Sequence, residues 1–342
     1  IVWNIAWVGN VSLISVLATN PEERGFLSSR RATWTSLAGV FFSYIGQPLA
    51  IYIGNTTGNE VLGYTLLAGA MAFLMMLGYY TVFKMTEGYE LTGEQESERA
   101  KASPQSQKVS IRKMFESLFK NPPLIVLLAA DFFRFMTFFI ITAAAMFYFE
   151  YVAQNAALMR PYLLTSSIAA VLGAYMSASL IKKLTTRTTA IVGLLLTSAS
   201  LIIGNYLAMD VTMFFVFAVL ARLFLGLLGA TLVALYTDTA VYSEWKTGEN
   251  ATPFVMGLMN LSLKTAIISR GTVIPIVLAA VGFVAGADPA TASDALKKGI
   301  ISVNMVIPGV LALIAACILA LGYKLTRERV ATLQEEIDAQ KP

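Results

Sequence analysis

Histidine is absent from the 342 residues, and cysteine occurs once. A chain without histidine cannot build a His-ligated metal site or use imidazole as a general base. The single cysteine, Cys317, cannot close an intrachain disulfide or seat a cysteine cluster around a metal. Charge is scarce too: Asp, Glu, Lys and Arg make up 13% of the residues, where a soluble domain carries about 25%. Apolar residues fill the space, at 56%. These proportions belong to a polytopic membrane protein. Position 1 is Ile within an apolar run, with no initiator methionine, basic leader or cleavage site. That start predicts a fragment lacking its true N-terminus rather than a precursor with a signal peptide.

A membrane-spanning helix needs about 20 apolar residues. On that measure the chain holds about nine spans, at 1–18, 33–54, 61–84, 123–151, 161–182, 188–208, 211–236, 254–285 and 300–323. The expected fold class is all-α, a polytopic membrane helix bundle. Eighteen of the 25 Lys and Arg residues fall in one set of alternating loops, three (Arg160, Lys297, Lys298) in the other, and four (Arg134, Arg222, Lys264, Arg270) within spans. The basic set marks the cytoplasmic side. The C-terminus is then cytoplasmic, residue 1 faces outward, and the expected location is the cytoplasmic (inner) membrane. Residues 85–121 are polar and read as a cytoplasmic linker. Within it, Ile111, Phe115, Leu118 and Phe119 recur at helical spacing, which predicts an interfacial amphipathic helix over 109–120. Residues 324–342 read as a charged, solvated helical tail without chemistry.

The stretch 236–264 joins two apolar runs, with Asp238, Glu244, Lys246 and Glu249 expected in a loop and Lys264 well inside the following span. Asp238, Tyr242, Glu244, Trp245, Lys246, Thr247 and Gly248 form the pattern D-x-x-x-Y-x-E-W-K-T-G. It resembles the signature of the glycoside–pentoside–hexuronide:cation symporters, the melibiose-permease relatives within the major facilitator superfamily. The resemblance implies a major-facilitator bundle of twelve helices with both ends inside, of which this chain carries family helices four to twelve. The implied organisation is a partial N-terminal half of three helices at 1–84, the linker at 85–121, a C-terminal six-helix half at 122–323 and the tail at 324–342. Residues 19–32, TNPEERGFLSSRRA, resemble the family's loop between helices four and five; a plain solvated basic turn explains them equally.

Lys264 is the leading candidate. It lies about ten residues, or about 15 Å, into its span, where an ammonium must face a cavity or a carboxylate. By resemblance it belongs to the charge network coupling cation and sugar, with its acidic partner upstream of Ile1. Asp131 and Arg134, an i,i+3 pair, either line the pathway or fix helix packing. The family's aspartate in helix four has no counterpart here; Asn10 and Ser12 stand at the matching positions. Asparagine cannot hold a negative charge. This departure shifts the expected coupling ion from Na+ toward H+, or the substrate toward another solute. Arg31 aligns nearest to the family's sugar-contacting arginine, one residue out of register. Trp7, one turn before Asn10, offers an aromatic face to a sugar ring.

The expected function is secondary active symport of a sugar or glycoside with Na+ or H+, by two helix bundles rocking around a midplane site. No cofactor is expected, and the partners are a small-molecule substrate and the lipid bilayer, not nucleic acid. A carrier of amphipathic solutes such as lysolipids is the rival within transporters. An integral-membrane structural or receptor module is the rival outside them. An enzyme would need converging catalytic groups, and the sequence supplies none.

Overall fold

The computed structural model describes residues 17, 21–87, 119, 121–248, 252–284 and 288–340. Among them every regular element is helical, and eight helices are long and apolar enough to cross a membrane. These match the last eight expected spans in order; the first, 1–18, lies outside the described residues apart from Leu17. So do Trp7, Asn10 and the expected 109–120 helix, of which only Phe119 is described. The chain forms two compact units, Ile1–Gln107 and Lys108–Pro342.

In the first unit, α1 (Pro21–Thr57) packs along α2 (Glu60–Thr86). Asn59 starts α2 by accepting a hydrogen bond from the Leu62 N–H at 3.2 Å, which satisfies an orphan amide. Residues 21–32 were expected in a loop but belong to α1. Pro21 at the first helical position and Glu22 and Glu23 in the first turn are helix-starting residues, which explains the difference.

The second unit opens with Asn121. Its side chain accepts from the Leu124 N–H at 3.1 Å and donates to the Thr239 carbonyl at 2.8 Å. It thus caps α3 (Pro122–Phe147) and ties that cap to a distant helix. A π turn, Tyr148–Val152, prolongs α3. There follow α4 (Met159–Leu184), α5 (Thr186–Leu207), α6 (Val211–Gly226), α7 (Leu228–Thr247), α8 (Thr252–Ala280), α9 (Asp294–Asn304), α10 (Val306–Gly322) and α11 (Arg327–Gln340). Helix α3 packs against α8 and α10, α5 against α6 and α10, and α4 against α6.

Lipid gives little hydrophobic incentive for helices to associate, so close packing decides which pairs form. Helices α4 and α6 meet at two glycines. A Cβ on Gly173 would overlap the Leu223 carbonyl oxygen, and one on Gly226 would overlap the Ala170 carbonyl oxygen. On the N-terminal side of that crossing the two helices share a buried aromatic cluster. Tyr162 of α4 packs on Phe214 and Phe215 of α6, with Phe149 between them.

Two further expectations are corrected. The D-x-x-x-Y-x-E-W-K-T-G stretch is not a loop: α7 runs to Thr247, so Asp238, Tyr242, Glu244, Trp245, Lys246 and Thr247 are all helical. No glycine or proline interrupts 230–247. The helix ends at Gly248, whose φ of 71° suits glycine and whose N–H closes on the Glu244 carbonyl at 2.8 Å. The same span breaks higher up, between α6 and α7 at Leu227. The tail is also not simply solvated: α11 packs on α7 and buries Leu333 completely and Ile337 nearly so.

Candidate functional site

The polar centre of the second unit is built on one stretch of α3, Asp131 to Phe139. The Asp131 carboxylate is 1% exposed, yet it lies deep in an apolar span. A bare carboxylate there would cost several kcal/mol, so its partners matter. Arg134, one turn on, donates from Nε to Oδ1 at 2.6 Å, and the Tyr236 hydroxyl of α7 donates to Oδ2 at 3.1 Å. The Arg134 guanidinium also lies 3.7 Å from the centre of the Phe135 ring. Helical spacing supplies the ion pair, and Tyr236 converts it into a link between α3 and α7.

Phenylalanines of this stretch cover two more intramembrane cations. Arg222 of α6 lies 4.3 Å from the Phe138 ring centre, and Arg270 of α8 lies 5.1 Å from that of Phe139. A ring face attracts a guanidinium but accepts few of its five N–H groups.

Lys264 stands apart. Ser262, two residues earlier on α8, donates to the Leu128 carbonyl of α3 at 2.9 Å and so fixes which face of α8 meets α3. Two residues turn the helix by about 200°, so Lys264 points away from Asp131. It is exposed, and no ion pair or hydrogen bond joins it to another described residue. Its place is about 18 Å along α8 from Thr252, within the apolar span Val255–Ala280. Arg31 lies on α1, and its side chain is outside the described set.

At the other end of α7 the motif residues form a second cluster. The Trp245 indole Nε1 donates to Glu336 Oε2 of α11 at 2.6 Å, and Arg329 of α11 approaches Glu336 Oε1 at 3.7 Å. Arg329 also lies over the Trp245 ring, Tyr242 packs beside it, and Lys246 lies over Tyr242. Thr247 donates back to the Ser243 carbonyl at 2.8 Å. Asp238 is half-buried, one turn from Leu235, whose carbonyl receives the Tyr323 hydroxyl at 3.2 Å. The motif therefore docks α11 onto α7.

Sequence reading placed the Asp131–Arg134 pair and Lys264 but missed Tyr236 and Glu336 as partners. Leu333 and Ile337, four apart in the otherwise charged tail, were the available sign that α11 has a buried face.

Comparison with known proteins gives the same picture. Residues 1–327 match the family described as MFS/sugar transport protein. The chain is 25% identical over 298 residues to the isoprimeverose transporter of Lactiplantibacillus pentosus, covering 86% of this chain and 60% of that one. It is 26% identical over 331 residues to the putative sulfoquinovose importer of Escherichia coli (strain K12), covering 96% of this chain and 67% of that one. A glucuronide carrier protein homolog of the same strain is 22% identical over 333 residues, covering 96% of this chain and 69% of that one. The chain thus spans 60% to 69% of these relatives' length. A match over nearly every residue, joined to an all-helical, multi-pass architecture, places the chain in the MFS/sugar transport protein family.

Proposed function

We propose that the protein is a secondary active transporter that carries a sugar or glycoside across the cytoplasmic (inner) membrane with Na+ or H+, by alternating access. The C-terminus is cytoplasmic in this reading, from the excess of Lys and Arg in one set of loops. The observation that carries it is the exposed ammonium of Lys264 inside an apolar span. Lipid penalises such a charge, whereas a water-filled passage does not. The face of α8 that carries Lys264 accordingly borders the solute pathway. The Asp131–Arg134–Tyr236 network is satisfied internally and holds the wall of that pathway in shape. The relatives named for isoprimeverose and sulfoquinovose support a saccharide as the solute.

The test is uptake by the full-length protein in proteoliposomes, driven by a Na+ or a proton gradient, with a panel of radiolabelled sugars. Lys264→Ala is expected to lower gradient-driven accumulation at least about tenfold while the protein stays folded. Accumulation by Lys264→Ala equal to that of the parent protein would refute the proposed coupling role.

A further inference from the structure

A second polar group in the membrane-embedded part of the second unit is buried and left unsatisfied. Arg222 Nη1 and Ser166 Oγ are both fully enclosed, and neither has a hydrogen-bond partner. Ser166 is 2% exposed, as is Tyr162, one turn before it on α4. Tyr162 packs on Phe214 and Phe215 of α6, the helix that carries Arg222. The Gly173–Gly226 crossing brings α6 against α4 and sets this grouping. From α6 a long side chain leans back toward the helix N-terminus, which carries Arg222 toward Ser166.

Chemically, the group is rich in donors and poor in negative charge. Arg134 has its carboxylate in Asp131, and Lys264 is exposed. Arg222 has the Phe138 ring 4.3 Å away, and its enclosed Nη1 meets no acceptor. No carboxylate bonds to it among the described residues. A buried cation and a buried hydroxyl rarely stay unpaired, because each loses its hydration and gains nothing in return. Two hydroxyls and a guanidinium on the facing sides of α4 and α6 suit an oxyanion and repel a metal ion or a second cation.

We propose that Arg222, Ser166 and Tyr162 form a subsite that receives a carboxylate or sulfonate borne by the transported sugar, an inference that rests on the transport reading above. The guanidinium supplies charge and a two-pronged edge, and the hydroxyls orient the remaining oxygen. The subsite makes the protein selective for acidic sugars over neutral ones of the same size. An anion taken from solution would have the same chemistry, so the two sources must be separated.

Binding is measured by calorimetry on the purified full-length protein with four probes: glucuronate, its methyl ester, methyl glucoside and sodium sulfate. The acid is expected to bind at least about tenfold tighter than its ester, which keeps the shape and removes the charge. Arg222→Gln should weaken the acid about 10- to 100-fold and change the neutral glucoside by less than about threefold. Arg222→Lys should recover part of the loss, since a point charge remains without the fork. Equal binding of acid and ester overturns the proposal and needs no variant, so a misfolded Arg222→Gln cannot hide the answer. Equal weakening of acid and glucoside by Arg222→Gln also overturns it, making Arg222 structural. Sulfate binding as tightly as glucuronate overturns it in favour of an ion site. Failure of all three sugars to bind, with no uptake of any sugar, removes the transport reading itself and the subsite with it.

Discussion

Replacing Arg134 with glutamine tests what holds the centre of the second unit. Asp131 is 1% exposed and accepts from two donors, Arg134 at 2.6 Å and Tyr236 at 3.1 Å. Without the guanidinium, a buried carboxylate keeps one neutral donor. Removing one partner of a buried ion pair costs about 3–5 kcal/mol, because the other charge stays behind. Against a domain stability of about 5–15 kcal/mol, that is a large fraction. The double variant Asp131→Asn/Arg134→Gln removes both charges, and the new amide still accepts from Tyr236. Its cost should fall to about 1–2 kcal/mol, about 2–3 kcal/mol less than Arg134→Gln alone, and the Asp131→Asn single variant completes the double-mutant cycle. The assay is reversible unfolding in bicelles by SDS titration, with uptake measured on the same preparations. A double variant as unstable as Arg134→Gln alone would refute the reasoning about the stranded charge. A double variant of near-normal stability that has lost all uptake would refute the assignment of the pair to packing.

Two other substitutions probe the scaffold. Gly173→Ala should destabilise the second unit by about 1–3 kcal/mol, since its Cβ meets backbone that cannot rotate away, whereas Gly69→Ala, with nothing within 4 Å, should be neutral or slightly stabilising in the same thermal melt. Equal effects would show that α4 and α6 do not touch there. Trp245→Phe keeps an aromatic ring but loses the donor to Glu336, which is partly exposed. Hydrogen-exchange protection of α11 should then drop by about fivefold, or about 1 kcal/mol, with the spans unaffected, and unchanged protection would dissociate Trp245 from the docking of α11.

The spans were legible because an apolar run of helical length is a local property, written within some twenty-five consecutive residues. The Asp131–Arg134 pair was legible for the same reason, since one turn of helix brings i and i+3 together. Tyr236 was not: it reaches Asp131 from 105 residues away, and no periodicity records which helix lies opposite. The motif from Asp238 to Gly248 was recognised as a pattern but assigned the wrong shape. Its charges suggested a loop, whereas the absence of breakers before Gly248 determined a helix. The tail misled in the same direction, because its charged residues outnumber the few apolar ones that dock. Arg222 could be seen as an anomaly in its span. Its neighbours could not, because a helix crossing at Gly173 and Gly226 decides them.

The interruption at Leu227 falls between Arg222 on one side and Tyr236 on the other. Leu227 itself keeps α-helical angles (φ -57°, ψ -28°), and its N–H bonds the Phe224 carbonyl at 3.2 Å, so a single tightened turn carries α6 into α7. Any twist at that turn would move Tyr236, the motif and the docked α11 as one piece relative to Arg222. A proline placed at Leu227 would stiffen or redirect that turn without touching either charged cluster.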